Sequence, residues 1–285
     1  MALTRHAYAK INLTLDILGK RQDGFHEVSM VMQTISLHDV LTFERAEGIS
    51  VQSDNPLLSD DKSNLAWRAA DLMMRTYGIG GANIMIEKHI PMAAGLAGGS
   101  ADAASVILGM AELYGLDVPQ EELADLGGKI GSDVPFCVMG GTMLAYGRGE
   151  KLRRLLDMPE TWLVVAKPDI DVSTAWAYKN YDDKGTRRHP DNTRMERAIE
   201  SGNMDDICSL LCNVLESVTM DRYDEVGQYK RRMLEAGASA AMMSGSGPSV
   251  FAICDGREQT LKVRESVAGL GGVSFAVHTV GRMGF

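Results

Sequence analysis

Positive charge is in short supply in this chain. Its 285 residues include 29 lysines and arginines against 38 aspartates and glutamates, a net charge of −9. Nucleic-acid binding usually needs a basic face, and here basic residues cluster only at Arg187-Arg188 and from Lys230 to Arg232. A nucleic-acid partner is therefore not expected. No run of 18 apolar residues occurs, so no membrane-spanning helix is expected. The opening segment MALTRHAYAKINLTLDIL carries Arg5, Lys10 and Asp16 where a signal peptide needs an unbroken apolar stretch. Cysteine is scarce, with Cys137, Cys208, Cys212 and Cys254 in apolar surroundings and no Cys-x-x-Cys pair or nearby histidine. That pattern points to reduced thiols in a cytoplasmic protein rather than to disulfides or a zinc site. Glycine is plentiful at 30 residues but lacks the G-X-Y period of collagen. There are no repeats of 20–50 residues and no low-complexity tract.

What is present is an ordinary globular balance, 45% hydrophobic and 24% charged, which excludes a chain disordered throughout. The length allows one or two domains. Residues 8–18 (YAKINLTLDIL) alternate, with Ile11, Leu13, Leu15 and Ile17 on one face, the period of a strand. Residues 19–24 read as a polar turn, and 28–37 and 40–43 as further strands. A short strand is expected at 49–52 within a polar stretch. Residues 64–77 are amphipathic at helical spacing. A strand at 84–89 precedes a glycine-rich stretch, then helices at 101–114 and 120–126. Residues 140–156 resemble a hairpin turned at Gly147-Arg148-Gly149. A second unit starts near Trp162, with strands at 163–167, 250–254 and 273–280 and helices at about 194–201, 204–214, 222–235 and 258–268. Segment 182–193 reads as a loop. The irregular order and frequent hairpins indicate an α+β class rather than a doubly wound parallel sheet.

Two glycine loops carry the strongest chemical signal. Pro91-Met92-Ala93-Ala94-Gly95-Leu96-Ala97-Gly98-Gly99-Ser100-Ala101-Asp102 lies between a strand and a helix. Small residues let backbone approach a ligand, and Ser100 is placed to cap a helix whose N-terminus attracts phosphate. No Gly-Lys-Ser/Thr closes the loop, and the spacing does not fit G-x-G-x-x-G, so it is neither a Walker nor a dinucleotide loop. By itself it is either an anion site or a tight turn with a capped helix. Ser244-Gly245-Ser246-Gly247-Pro248-Ser249 is a second cluster of N–H and O–H donors suited to an anion. Lys10 and Asn12 lie on the strand face opposite the apolar residues. Asp133, between Gly131-Ser132 and Val134-Pro135-Phe136, is either a helix cap or a reacting group.

Taken together these segments resemble the GHMP kinases. Pro91 to Ala101 is similar to that family's phosphate loop, and Ser244 to Ser249 to its third motif. Ala9-Lys10-Ile11-Asn12-Leu13, Asp23-Gly24-Phe25-His26-Glu27, Gly131-Ser132-Asp133-Val134-Pro135-Phe136 and Gly147-Arg148-Gly149-Glu150 resemble one branch. That branch phosphorylates the 2-hydroxyl of a cytidine-diphosphate-linked methylerythritol in non-mevalonate isoprenoid synthesis. The resemblance covers nearly the whole chain. It implies a two-domain fold, with residues 1–157 like the second domain of ribosomal protein S5 and 158–285 ferredoxin-like. The implied cofactors are ATP and Mg²⁺, and the implied partner is that small-molecule substrate, handled by a monomer or weak homodimer. A homoserine- or mevalonate-type kinase, or a catalytically silent ligand-binding homologue, is the alternative.

Carried over residue by residue, the resemblance makes Asp133 the base and Lys10 its partner. Pro91, Met92, Ala93, Ala94, Gly95, Leu96, Ala97, Gly98, Gly99, Ser100 and Ala101 would wrap the ATP phosphates, with Asn64, Leu65 and Lys88 at the adenine. Asn12 would touch substrate, as would the loop Ser244, Gly245, Ser246 and Gly247. Phe25 and Tyr178 would sandwich cytosine while His26 reads its edge. Ser100 is the candidate Mg²⁺ ligand. Three positions depart from the family pattern: Ala97 replaces a frequent glycine, Ser132 a frequent alanine and Cys137 a frequent aromatic.

Overall fold

The structure, a computed structural model, describes residues 2–184, 186 and 188–282. In chain order the elements are β1 (Leu3–Asn12), β2 (Thr14–Lys20), β3 (His26–Ala46), β4 (Ser50–Ser53), α1 (Leu65–Tyr77), β5 (Gly81–Glu87), α2 (Gly98–Tyr114), α3 (Gln120–Gly127), α4 (Val134–Met139), β6 (Thr142–Gly147), β7 (Lys151–Arg154) and β8 (Trp162–Lys167). There follow α5 (Thr174–Lys184), α6 (Asn192–Ser201), α7 (Met204–Leu210), β9 (Cys212–Asn213), α8 (Glu216–Arg222), α9 (Asp224–Glu235), β10 (Ala240–Met243), β11 (Val250–Cys254), α10 (Gly256–Val267) and β12 (Val273–His278). The chain forms two compact units. One comprises residues up to Ala9, Leu37–Met92 and Ala97–Gly140, and the other Lys10–Ser36, Ala93–Leu96 and residues from Gly141 onward.

In the first unit, β3 pairs antiparallel with β5 from Val40↔Glu87 to Ala46↔Gly81, and β4 joins β5 in parallel. Helix α1 lies against α2, which also packs on α3 and α4. The apolar stripe of α1 supplies the buried Ala66, Ala69, Ala70 and Met73. Asn64 caps this helix, its side chain accepting from Ala66 N–H. Helix α2 is buried nearly all round from Ala101 to Ala111.

In the second unit, β3 pairs antiparallel with β2 and with β6, from Val28↔Gly147 to Gln33↔Thr142, and β6 turns back into β7. A separate sheet has the order β10-β11-β8-β12, every pairing antiparallel. Numbered along the chain, these four strands lie in the order second, third, first, fourth, with α9 and α10 packed against them. That is the ferredoxin-like arrangement.

Several expectations need correction. The strand read over 8–18 is two strands broken at Leu13, whose N–H donates to Val31 O. Its polar face is not exposed. Lys10, Asn12, Thr14 and Asp16 are all buried, Lys10 with 4% of its surface accessible. The strands read at 28–37 and 40–43 are one strand, because Asp39, which looks like a break, is buried and hydrogen-bonded inside the ladder. Helix α4 was hidden in an apolar run too short to show helical period. The expected helix at 204–214 is α7 followed by the short strand β9, which pairs in parallel with β2. The loop expected at 182–193 is narrower, since α5 reaches Lys184 and α6 begins at Asn192; Gly185 and Arg187 lie outside the described residues. The four cysteines are free thiols, and burial raises the pKa of Cys208, Cys212 and Cys254. No described helix is long and apolar enough to cross a membrane.

Where α2 crosses β3, contact depends on a missing side chain. A Cβ on Gly109 would lie 2.7 Å from Cζ and 2.8 Å from Cε2 of the fully buried Phe43. Alanine is normally favoured over glycine in a helix by about 1 kcal/mol. Gly109→Ala should nonetheless destabilise the protein by about 1–3 kcal/mol through overpacking. Urea denaturation checks this; an unchanged or raised midpoint would mean that the helix can move off the strand.

Candidate active site

The loop from Pro91 to Ala101 leaves the buried Ile90 and enters α2. Ala93 (φ 50°), Gly95 (φ 72°) and Ala97 (φ 59°) all have left-handed backbone. An alanine in that region costs about 1–2 kcal/mol, so the two alanines mark a loop held in a strained form. Positive φ at alternate residues turns amides toward one side, the geometry of an anion nest. It also explains why glycine would be frequent at position 97. Helix α2 begins at Gly98, and Ala97 at its N-cap provides no side-chain acceptor. Contrary to the expectation from sequence, Ser100 therefore does not cap the helix. It lies in the first turn, because the helix starts three residues before the anticipated point. The amides of that turn are left for an external acceptor, at the positive end of the helix dipole.

Beneath this helix start is a buried charge cluster. Lys88 Nζ bonds to Asp39 and, at 2.8 Å, to Asp102 Oδ2. The Asp39 carboxylate also accepts from His89 N–H (2.6 Å) and Ile90 N–H (2.8 Å), which fixes the backbone that enters the loop. A Cβ on Gly98 would lie 3.5 Å from Lys88 Nζ and 3.0 Å from Ile90 Cγ2. Lys88 keeps its charge although burial opposes it, because the two carboxylates raise its pKa. Burial pushes Asp102 up to about 7, a rise that Lys88 opposes and Asp39 reinforces. Asp102 Oδ1 is buried without a hydrogen-bond partner. Sequence reading missed Asp39 and Asp102. The available signal was a carboxylate one residue into an alanine-rich helix with no polar face.

The placement of Asn64, Leu65 and Lys88 separates them. The Asn64 amide is engaged at both ends, accepting from Ala66 N–H and donating to Ser59 O at 2.6 Å. Lys88 is enclosed by its carboxylates. Leu65 is half-buried beside the loop, its Cδ1 3.5 Å from where a Cβ on Gly99 would stand. The turn that carries Asp133 also lies close, since a Cβ on Gly131 would be 4.0 Å from Ser100 Oγ. Asp133 occupies the N-cap position of α4, yet its carboxylate makes no capping bond. The choice left open by the sequence thus goes against a cap.

In the second unit three distant segments meet. Lys10 N–H donates to Leu96 O at 3.1 Å, and Ser244 Oγ donates to Gly95 O at 3.0 Å. Lys10 Nζ donates to Asn12 Oδ1 at 2.8 Å and lies 3.5 Å from where a Cβ on Gly245 would stand. The loop 244–247 is held from below by Asn213, whose Nδ2 donates to Met243 O and Gly245 O, and by Thr219 Oγ1, which donates to Ser246 O. Thr174 Oγ1 and Ser246 Oγ are 3.0 Å apart. Asn213 gave no sequence signal, because it acts only through backbone brought to it by folding. At another edge of this unit the rings of His26 and Tyr178 lie 5.0 Å apart, tilted by 39°. Phe25 is exposed, with the Arg148 guanidinium 5.0 Å from its ring centre.

Alternate left-handed residues, a helix start without a side-chain cap and an Asp133 carboxylate that makes no capping bond resemble the parts from which phosphoryl-transfer sites are built. The family itself comes from comparison with known proteins. Residues 64–141 match the GHMP kinases N terminal domain, and residues 195–277 match GHMP kinases C terminal. The 4-diphosphocytidyl-2-C-methyl-D-erythritol kinase of Acetivibrio thermocellus is 45% identical over 281 residues, 98% of this chain and 99% of its own. The chain belongs to the GHMP kinases. Within them it falls on the branch of that relative. A solved 4-(cytidine 5'-diphospho)-2C-methyl-D-erythritol kinase superposes with a TM-score of 0.83 at 31% identity, covering 98% of this chain and all (100%) of the other. Homoserine kinase from Cytophaga hutchinsonii, at 16% identity and a TM-score of 0.76 over 99% of this chain and 95% of its own, shares the fold. In this GHMP kinase Asp39, Lys88 and Asp102 lie beneath the start of α2.

The charge cluster has a pH signature. Folding raises the Asp102 pKa, so the folded chain holds that proton more tightly than the unfolded chain. Stability from this group is greatest in acid and is lost as pH rises from the ordinary carboxylate range through about 7. Asp102→Asn should flatten that part of the stability profile, read by urea unfolding between about pH 5 and 8. Asp39→Ala leaves the buried Lys88 with Asp102 as its carboxylate partner and removes the acceptor of the His89 and Ile90 amides, and should cost about 3–5 kcal/mol. A profile for Asp102→Asn parallel to wild type would show that Asp102 does not titrate there.

Proposed function

We infer that this GHMP kinase transfers the γ-phosphate of ATP to the tertiary 2-hydroxyl of 4-diphosphocytidyl-2-C-methyl-D-erythritol, giving the 2-phosphate used in non-mevalonate isoprenoid precursor synthesis. The observation that carries the reading is the content of the second unit. It joins Lys10 to the loops at 93–96 and 244–247 and also places His26 against Tyr178. The first group serves any GHMP kinase; the second suits a ligand with a nucleobase. The names of the full-length relatives point the same way.

Phosphoryl transfer passes through a loose transition state, so positioning and charge neutralisation dominate. The amides of the nest and of the first turn of α2 hold the nucleotide phosphates. Leu65 lines the adenine, with Asn64 and Lys88 supporting the frame around it. Asp133 accepts the hydroxyl proton, and Lys10, set by Asn12, offsets negative charge at the transferring group. Ser244 to Gly247 supply donors to the substrate phosphates. A tertiary alcohol is hindered and weakly acidic, so placement matters more than base strength, and binding of the remote cytidine supplies it. Phe25 and Tyr178 stack on the base while His26 reads its edge. The overall charge of −9 opposes two anionic ligands, and local groups such as Lys10 outweigh it at short range.

Mg²⁺ fits the donors present. Among the described residues no cluster of three or more His, Cys, Asp or Glu could enclose a metal. An ion shared between nucleotide phosphates needs only about one or two protein oxygens. Ser100 Oγ would be such a ligand, and the ion would neutralise phosphate charge. The reading also takes the protein as a cytoplasmic monomer or weak homodimer. Its domains divide near residue 157, between the segments matched by the two family models.

Coupled ADP release tests the activity. Turnover is expected with the cytidylylated substrate and not with free methylerythritol 4-phosphate; turnover of homoserine or mevalonate instead would overturn the reading. Asp133→Asn should lower kcat by about 100-fold or more, as loss of a general base does, with little change in ATP affinity. Half of the wild-type kcat in that variant would remove Asp133 from the chemistry. Base–aromatic stacking is worth about 1–3 kcal/mol, so Tyr178→Ala should raise KM for the cytidylylated substrate about 10- to 100-fold. An unchanged KM would misplace the base pocket.

A further inference from the structure

His26 does not stand alone beside Tyr178. Its Nε2 is 2.6 Å from Oδ1 of Asp182, in the last turn of α5, and the other oxygen of that carboxylate receives Lys20 Nζ at 3.1 Å. Three segments remote in sequence are thereby tied together: the end of β2, the start of β3 and the end of α5. The His26 side chain keeps 10% of its surface accessible, and the Asp182 side chain 27%. Hydrogen bonds from His26 and Lys20 hold the Asp182 carboxyl below its ordinary pKa. An ionised carboxylate accepts hydrogen bonds and cannot donate them, so the proton of this contact sits on His26 Nε2. An uncharged imidazole with a proton on Nε2 has an acceptor at Nδ1. That nitrogen forms no hydrogen bond among the described residues.

The chemistry of the two pyrimidines then decides what the ring can read. Cytosine carries an exocyclic amine, a donor, where uracil carries a carbonyl, an acceptor. An acceptor at Nδ1 pairs with the amine and faces the carbonyl lone pair to lone pair. We propose that Asp182 is a positioning residue that fixes His26 as its Nε2–H tautomer, and that this tautomer makes the site select cytosine over uracil. The proposal rests on the reading that Phe25, His26 and Tyr178 hold the base. A site built to bond a polar edge rejects the wrong edge strongly, because its own buried group is left unpaired.

Asp182→Asn is the informative change. An asparagine amide keeps the shape but can donate to Nε2, which moves the ring proton to Nδ1 and turns the reader into a donor. The test measures kcat/KM for the cytidine- and uridine-diphosphate-linked methylerythritols in wild type, Asp182→Asn and Asp182→Glu. The cytidine-to-uridine ratio should fall at least tenfold in Asp182→Asn and recover in Asp182→Glu, with KM for ATP unchanged in both. In parallel, ¹⁵N NMR of the ligand-free protein reads the His26 tautomer, assigned by loss of its signals in His26→Gln. Wild type should show a proton on Nε2 and Asp182→Asn a proton on Nδ1. A wild-type enzyme that discriminates, with an Asp182→Asn ratio unchanged, overturns the proposal and leaves the base pocket standing. Wild type that turns over both substrates equally overturns the base pocket and the proposal with it. A wild-type proton on Nδ1 overturns the proposal whatever the kinetics.

Discussion

The organisation of the second unit depends on how closely three stretches of backbone approach one another. A Cβ at position 95 would lie 2.3 Å from Ser244 O and 3.1 Å from Gly247 O. Only glycine fits between them, and its φ of 72° suits glycine for the same reason. Around that point Lys10 donates its backbone N–H to Leu96 O, and Ser244 Oγ donates to Gly95 O. Segment 93–96 is thus held by main-chain contacts that leave no room to drift. Preorganisation of this kind costs no rearrangement when charge develops in the transition state, which is where electrostatic catalysis gains its effect. The strain at Ala93 and Ala97 is tolerated because the surrounding contacts over-determine the loop.

Charge inside the protein follows one pattern in both units. Buried polar and charged side chains here meet side-chain partners and also hold backbone. Asp39 fixes the amides of His89 and Ile90 while meeting Lys88. Thr14 accepts from Val31 N–H and donates to Asn192, which in turn donates to Ser29 Oγ. Asp16 accepts from Ile17 N–H and meets His189. Buried ion pairs contribute little net stability once desolvation is counted, but removing one partner is expensive. Their effect here is to fix the chain segments that carry the site. The pairing of His26 with Asp182 and Lys20 extends that pattern to an exposed edge.

The glycine-rich segments 91–101 and 244–249, Lys10 and Asp133 stood out in the sequence because the chemistry expected of them demands small or charged residues at local spacing, and the resemblance joined them into one family. Element types were legible where the apolar period was clean, as in α1, or where a glycine turn marked a hairpin, as between β6 and β7. The resemblance of Asn64 and Lys88 to adenine contacts placed them near the right loop but could not show that their polar atoms are already engaged. The Ser100 cap failed because the Gly98 and Gly99 that precede it join the helix instead of the loop.

Composition, charge and motif therefore determined the class of protein, its α+β character and the residues put forward for phosphate binding and reaction, since each depends on side-chain type and near-neighbour spacing. Tertiary structure alone decided that the polar face of the first strands is buried, that Asp39, Asp102, Asn213 and Asp182 find distant hydrogen-bond partners, and that Asp133 does not cap its helix. Those facts depend on partners tens to hundreds of residues away. A hydrogen bond such as His26 to Asp182, 156 residues apart, exists only once the chain has closed on itself, and no local pattern in the sequence carries it.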